Sequence, residues 1–399
     1  MKNKVVFAAA GNGKTYNICA EAIKKAKESN KYILILSYTN EGVNSIRNEY
    51  EKQNQGVIDS NVIIKTWYSF LLSDWIKPYQ CLLNLKYKDY KNDLNAVIPE
   101  NYIKSIAFYQ EDKPKYFSSE HIQYYINSAQ DIRKDDTSQL AFICNLHSCN
   151  KVVNRLTSIY SEIFIDELQD YAGWDLELFD ILFKSTIPIT CVGDYKQSTY
   201  RTNNSTKNKK YRDSKIIDYF LLKEKKCECV INYSNKTRRF NQSICNYINK
   251  IFNDDNNILP YSLGLSENEE NIGVYLIDRS DIDTYCNYYH PTILRYNSKT
   301  EISNKNCQVF TYGASKGMTL DRTVIFPIKT ILPFILKMKD ITSNQTRAKF
   351  YVACTRAKYS LVFVTNGEIP DSHFIKTELL LGTNKINCYK FKQKNEIII

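Results

Sequence analysis

The chain has 399 residues, with 54 Lys and Arg against 43 Asp and Glu for a formal charge of +11, and it is 43% hydrophobic. That is enough apolar material to fill the cores of two or three domains, and no stretch reaches the ~20 apolar residues of a membrane span. A helical membrane protein is therefore excluded, and the basic balance permits a polyanionic partner without identifying one. The charged Met1-Lys2-Asn3-Lys4 leads directly into an apolar run rather than a signal sequence, so a cytoplasmic protein with no membrane partner is expected. Twelve cysteines are scattered without CxxC spacing. Cys144, His147 and Cys149, and Cys227 with Cys229, come nearest to clusters, but neither has a second matched pair nearby. Free buried thiols are expected rather than a zinc site.

In chain order, Val5-Val6-Phe7 reads as a short buried strand, Ala8 to Thr15 as a glycine-containing loop, and Ile18, Ala22, Ile23 and Ala26 as one face of a helix. Tyr32 to Leu36 is a second buried strand, Ser37-Tyr38-Thr39-Asn40 the loop after it, and Val43, Ile46 and Tyr50 mark the next helix. Val62-Ile63-Ile64 is a third strand, ending in Lys65-Thr66-Trp67-Tyr68. From about Ser73 to Arg155 the pattern gives way to tyrosine-rich, charged sequence, expected to form a mainly helical inserted subdomain. The parallel pattern resumes with Ile163-Phe164-Ile165 before Asp166-Glu167-Leu168-Gln169-Asp170, and with Ile187 to Val192 before Gly193-Asp194-Tyr195-Lys196-Gln197. After the basic segment Lys207 to Arg212, a second α/β unit begins near Cys227. It contains a helix around Ile244, Tyr247 and Ile251, and strands at Val274 to Ile277, Thr323 to Phe326 and Leu361 to Val364. The tail after Thr365 reads as a terminal strand or helix packed on that unit. The expected organisation is a first core over 1–72 and 156–225, an insertion over 73–155, and a second core over 226–399.

Two of these loops carry chemistry. Between a strand and a helix, the run Ala10-Gly11-Asn12-Gly13-Lys14-Thr15 has the form of a phosphate-binding loop. Gly11 and Gly13 let backbone N–H groups turn toward phosphates, Lys14 reaches the β- and γ-phosphates, and Thr15 can hold Mg²⁺. The acidic run at the carboxyl end of its strand places Asp166 on the metal side and Glu167 next to the attacking water. Together the two loops point to an ATP hydrolase with ATP and Mg²⁺ as cofactors.

The series of short motifs, in order, resembles that of superfamily 1 helicases of the UvrD, Rep and PcrA group from residue 5 to about 364. Beyond the two loops above it includes Ser37 to Asn40, Thr66-Trp67-Tyr68, Gly193 to Tyr200, Arg238-Arg239-Phe240, Gly313 to Asp321 and Tyr351 to Ala357. The resemblance implies two RecA-like α/β cores with parallel sheets and translocation on single-stranded DNA from 3′ to 5′. It implies that Gln197 senses the γ-phosphate, that Arg239 contacts it, and that Arg356 is an arginine finger. Arg238 and Gly317 fall at nucleotide-contacting positions. Thr39, Asn40, Thr66, Trp67, Tyr68 and Tyr200 fall at strand-contacting ones, where aromatic rings would stack on bases.

The chain also departs from the pattern. Only four residues precede the first strand, so the family's adenine-reading segment has no room. Thr319 stands where a glutamate is usual, Arg238 where a tyrosine often stacks on adenine, and Thr202-Asn203-Asn204 lacks a DNA-stacking tryptophan. The span from Ile244 to Ser315 is too short for the large insertion of full-length helicases. These features imply a trimmed member, weak in unwinding alone and working with a nuclease subunit of OLD/TOPRIM type in a Gabija-like anti-phage defence complex. The alternative is a regulatory ATPase that senses DNA and controls such a nuclease without processive unwinding. A small-molecule kinase or transporter-type protein would leave the strand motifs and both arginines unexplained.

Overall fold

The computed structural model describes residues 3–87, 98, 101–109, 116–199, 205–252, 259–264, 269–300, 302 and 306–392. The chain forms two units, each an α/β layer structure. The first comprises Met1–Val6, Lys14–Gly193 and Tyr200–Asn232, and the second Phe7–Gly13, Asp194–Thr199 and Tyr233–Ile399.

In the first unit the strands are β1 (Lys4–Ala8), β2 (Tyr32–Ser37), β3 (Val62–Thr66), β4 (Ile106–Ala107), β5 (Ile132–Arg133), β6 (Tyr160–Ile165), β7 (Ile189–Gly193) and β8 (Val230–Ser234). Six of them make a sheet in the order β3-β2-β6-β7-β1-β8. Along it β3, β2, β6 and β7 run parallel. Ile33 to Leu36 and Ile163 to Ile165 are fully buried, because helices cover a parallel sheet on both faces and each strand must be apolar throughout. Those helices are α1 (Lys14–Glu28), α2 (Asn40–Gln53), the short α3 (Trp67–Phe70), α4 (Thr137–His147), α5 (Lys151–Ile159), α6 (Asp175–Lys184) and α7 (Ile216–Lys225). Ile18, Cys19, Ala22, Val43, Ile46 and Tyr50 of α1 and α2 pack on Ile33, Ile35 and Ile64.

The inserted region combines helical turns with loop. A π-turn and a 3-10 turn run from Leu71 to Leu82, and regular helix returns only at α4 and α5. The described residues between Leu83 and Arg133 are largely loop, pinned by the parallel pairing of β4 with β5. The stretch near Cys227 differs from expectation: Val230–Ser234 extends the first sheet as its edge strand.

The second unit adds β9 (Lys236–Thr237) paired with β10 (Tyr261–Ser262), and a seven-stranded sheet. Its strands are β11 (Gly273–Asp278), β12 (Thr292–Arg295), β13 (Val309–Thr311), β14 (Leu320–Phe326), β15 (Ala357–Thr365), β16 (Phe374–Leu381) and β17 (Asn384–Phe391), in the order β13-β12-β14-β15-β11-β17-β16. The first five of that order are parallel, and the terminal hairpin β16–β17 joins antiparallel, so the tail is a strand pair. Helices α8 (Gln242–Ile248), α9 (Ile282–Tyr289), α10 (Leu332–Lys337) and α11 (Asn344–Cys354) lie between them in sequence. One core gathers Ile244, Tyr247, Phe350 and Phe363, and another Ile277, Ile282, Tyr285 and Val362. Both units are thus α/β with largely parallel sheets. Among the described residues, no helix is long and apolar enough to cross a membrane.

Candidate active site

Parallel strands deliver their carboxyl ends to one edge of a sheet, where open α/β proteins place their ligands. In the first unit that edge collects the end of β2 (Ser37), of β3 (Thr66) and of β6 (Asp166). Lys14 and Thr15 open α1, so any anion beside them meets the positive end of a 15-residue helix. Thr15 Oγ1 donates to Asp166 Oδ2 at 2.9 Å. Asp166 is buried, and its backbone N–H bonds Leu36 O at 2.8 Å, tying β6 to β2 at this point. Burial, and then the charge of Glu167, push the Asp166 carboxyl above its ordinary range, while the Glu167 N–H, the Thr15 hydroxyl and Lys14 pull the other way. The buried Asp166 carboxylate and the Thr15 hydroxyl bonded to it are oxygen donors of the kind a hard divalent cation takes.

Glu167 adopts the left-handed conformation, with φ 54° and ψ 45°. Its carboxylate accepts a bond from Gln169 Nε2. Gln169 itself packs close to Gly193, where an added Cβ would lie 2.7 Å from Gln169 Oε1 and 2.7 Å from Leu168 Cβ. A constrained backbone at this position aims one particular carboxylate. Nothing in the sequence marked Gln169 as its tether.

In the second unit, the glycine loop is held by the segment that carries the paired arginines. Ala9 N donates to Ser234 O at 2.9 Å, Asn12 Nδ2 to Ser234 Oγ and Lys236 O at 2.8 Å each, and Arg238 N to Gly11 O at 3.0 Å. Gly11 has φ +75°, and a Cβ there would fall 2.5 Å from Arg239 Cβ and 2.6 Å from Thr237 Oγ1. Glycine is thus required twice over, by conformation and by contact. Gly13 also has positive φ, at 85°, and Ala10 is buried. Arg239 Nη1 donates to Thr355 O at 3.4 Å. Arg238 is exposed, and Gly317 sits in an exposed turn with φ +87°.

Arg356 is 1% exposed. Its guanidinium donates to Val352 O (2.9 Å), Met318 O (3.3 Å), Thr355 Oγ1 (2.9 Å) and Gln197 Oε1 (3.3 Å). Gln197 Nε2 in turn donates to Asp194 Oδ2 at 2.8 Å. The structure therefore joins Gln197 and Arg356 directly, through a buried polar chain that begins at Asp194.

The strand-contacting residues divide. Thr39 and Asn40 are exposed, Thr39 capping α2 by accepting from Gly42 N at 3.0 Å. Thr66 caps α3 in the same way, accepting from Ser69 N at 3.1 Å. Trp67 and Tyr68 correct the expectation of base-stacking platforms, being 0% and 4% exposed. Trp67 Nε1 donates to Asp175 Oδ1 at 2.8 Å, and its ring lies against Phe70, Tyr171 and Phe179. The Tyr68 hydroxyl bonds that of Tyr38 at 2.6 Å. A ring with every face occupied by side chains has none to offer a base. Tyr200 lies outside the described residues. Asp175, unmarked in the sequence, is a fully buried carboxylate that also accepts from Ser138 Oγ at 2.5 Å and Ala172 N at 3.2 Å; burial pushes it up to about 6 against those bonds.

All twelve cysteines are free thiols, nine of them buried. Among the described residues no three His, Cys, Asp or Glu side chains are grouped to hold a metal.

Residues 77–215 match the UvrD/REP helicase N-terminal domain. No curated protein matches the sequence. Among solved structures, the PRRSV helicase is similar at 13% identity, covering 96% of this chain and 59% of its own, with a TM-score of 0.41. Arterivirus nonstructural protein 10 (helicase) is similar at 13% identity, with 92% and 60% covered and a TM-score of 0.42. Its complex with DNA gives 13%, 92%, 61% and 0.43. The chain spans about 60% of the length of these helicases.

Proposed function

We propose that this chain is an ATP-dependent helicase or translocase acting on single-stranded DNA with 3′–5′ polarity. The observation that carries the ATPase half is the bonded Thr15–Asp166 pair at the start of α1, beside Glu167 with its fixed backbone. In this reading Thr15 and Asp166 hold Mg²⁺, which supplies charge neutralisation at the phosphates. Lys14 binds the phosphate charge, Glu167 accepts a proton from water, and Gln169 keeps that carboxylate in position. Arg239, Gln197 and Arg356 respond to the terminal phosphate as a linked group, with Arg238 and Gly317 at the nucleotide. The exposed Thr39 and Asn40 and the half-buried Thr66 contact the strand, and Tyr200 joins them.

The polarity and a nuclease partner in host defence rest on the resemblance of the motif series. Separating a duplex needs a wedge or a path for the displaced strand beyond two cores and a gripping surface, and a partner subunit supplies it. The deciding experiment is strand separation by the purified chain on duplexes tailed at 3′ or at 5′, with ATP. Weak activity confined to the 3′-tailed substrate is expected. Robust processive unwinding by the chain alone would remove the partner, and a preference for the 5′ tail would reverse the polarity.

A further inference from the structure

Trp67 and Tyr68 are enclosed, but the ring immediately outside them is not. Phe108 is 65% exposed and meets Tyr68 edge to face, with centroids 5.7 Å apart. Tyr68 is itself bonded to Tyr38. Phe108 is therefore braced, through two buried tyrosines, on the loops that follow β2 and β3, where Thr39, Asn40 and Thr66 reach solvent. Its backbone is fixed as well. In the β4–β5 ladder Ile106 pairs with Ile132 and Ala107 with Arg133, so Phe108 and Lys134 are the residues that follow the two strands, Lys134 opening a 3-10 turn. Lys134 Nζ stands 5.8 Å from the Tyr68 ring centroid. Beside Phe108, Tyr109 is 59% exposed, its hydroxyl accepting from Asn127 Nδ2 at 3.0 Å.

A scattered exposed ring needs no explanation. Here an aromatic face and an ammonium follow two paired strands, both beside the Tyr68 ring in the loop after β3. An aromatic face takes a base of any sequence, and an ammonium one residue away takes the adjoining phosphate. We propose that Phe108 is a base-stacking platform for single-stranded nucleic acid, with Lys134 on the neighbouring phosphate and Tyr109 flanking it. The inference rests on the strand-binding reading above and moves its aromatic contact from β3 into the inserted region.

The test is fluorescence anisotropy of a labelled oligo(dT) titrated with the full chain. Phe108→Ala should weaken binding roughly tenfold, and Phe108→Tyr should restore it. Lys134→Ala should flatten the salt dependence by about one ion. Circular dichroism of each variant checks the fold, and Phe108→Trp adds an optical signal that oligo(dT) should quench. Wild-type binding with no loss in Phe108→Ala and no quenching in Phe108→Trp would overturn the platform and leave the strand-binding reading standing. No binding by the wild type would overturn that reading itself.

Discussion

Asp166 and Asp175 are both buried carboxylates, yet they play different parts. Asp166 faces a hydroxyl and an ammonium that a bound cation would join, whereas Asp175 is satisfied by three donors from its own unit. Because Asp175 is raised to about 6 in the folded state, the native protein holds a proton there that the unfolded chain has released. Stability from this group is fully present below the unfolded value and is lost as pH rises through about 6, a swing on the order of 3 kcal/mol. Asp175→Asn should lower stability overall and flatten the fall between pH 4 and 7, as read from urea midpoints across that range. An unchanged slope would mean that Asp175 is already ionised throughout. At the nucleotide, Lys14→Ala should lose nearly all ATP turnover while remaining folded, since no other cation opens α1. Glu167→Gln should still bind ATP with Mg²⁺ and hydrolyse it slowly. Loss of binding together with turnover would assign Glu167 to the metal.

Among the elements, α8 shows how one side chain can join a helix to a sheet. Asn241 caps α8 by accepting from Ile244 N at 3.1 Å, and its amide donates to Lys358 O at 3.2 Å and Tyr359 O at 2.7 Å on β15. Asn241→Ala removes the cap and leaves two carbonyls short of a donor, so a loss of roughly 2–3 kcal/mol is expected in chemical denaturation. Asn241→Asp keeps the cap alone and should recover only part of it. The parallel strands were legible because a strand buried on both faces must be a short, continuous apolar run, as Ile33 to Leu36 and Ile163 to Ile165 are. Val230–Ser234 was misplaced because strand order in a sheet does not follow chain order, and an edge strand after a helix reads like the start of a new unit. Within the insertion regular helix is confined to α4 and α5, and the described residues between Leu83 and Arg133 are largely loop. Trp67 and Tyr68 were placed at the right loop but on the wrong side of it, since the sequence of a loop does not say which ring the core takes. Phe108 and Asp175, distant in sequence from the motifs they serve, carried no signal.

At the scale of the whole molecule, the nucleotide motifs fall into different units along the chain. The glycines of the phosphate loop pack with the arginine-bearing unit, while Lys14, Thr15, Asp166 and Glu167 belong to the other. On the strand-binding proposal, single-stranded DNA should raise the ATPase rate, because two ligands that favour the same state of a protein reinforce each other, and duplex DNA should raise it less. Steady-state turnover with no nucleic acid, oligo(dT) and blunt duplex checks this. Equal rates in all three would favour a nucleotide switch uncoupled from the strand.

The tryptophans have a consequence of another kind. All three lie in the first unit, Trp67 and Trp75 fully enclosed and Trp174 partly so, and the second unit has none. Indole emission is thus a reporter of one half of the protein, blind to the other, whose many rings are tyrosine and phenylalanine. Melting followed by emission and melting followed by backbone ellipticity need coincide only if both halves unfold as one cooperative body. A gap between the two midpoints would measure, without any label, how far each half stands on its own.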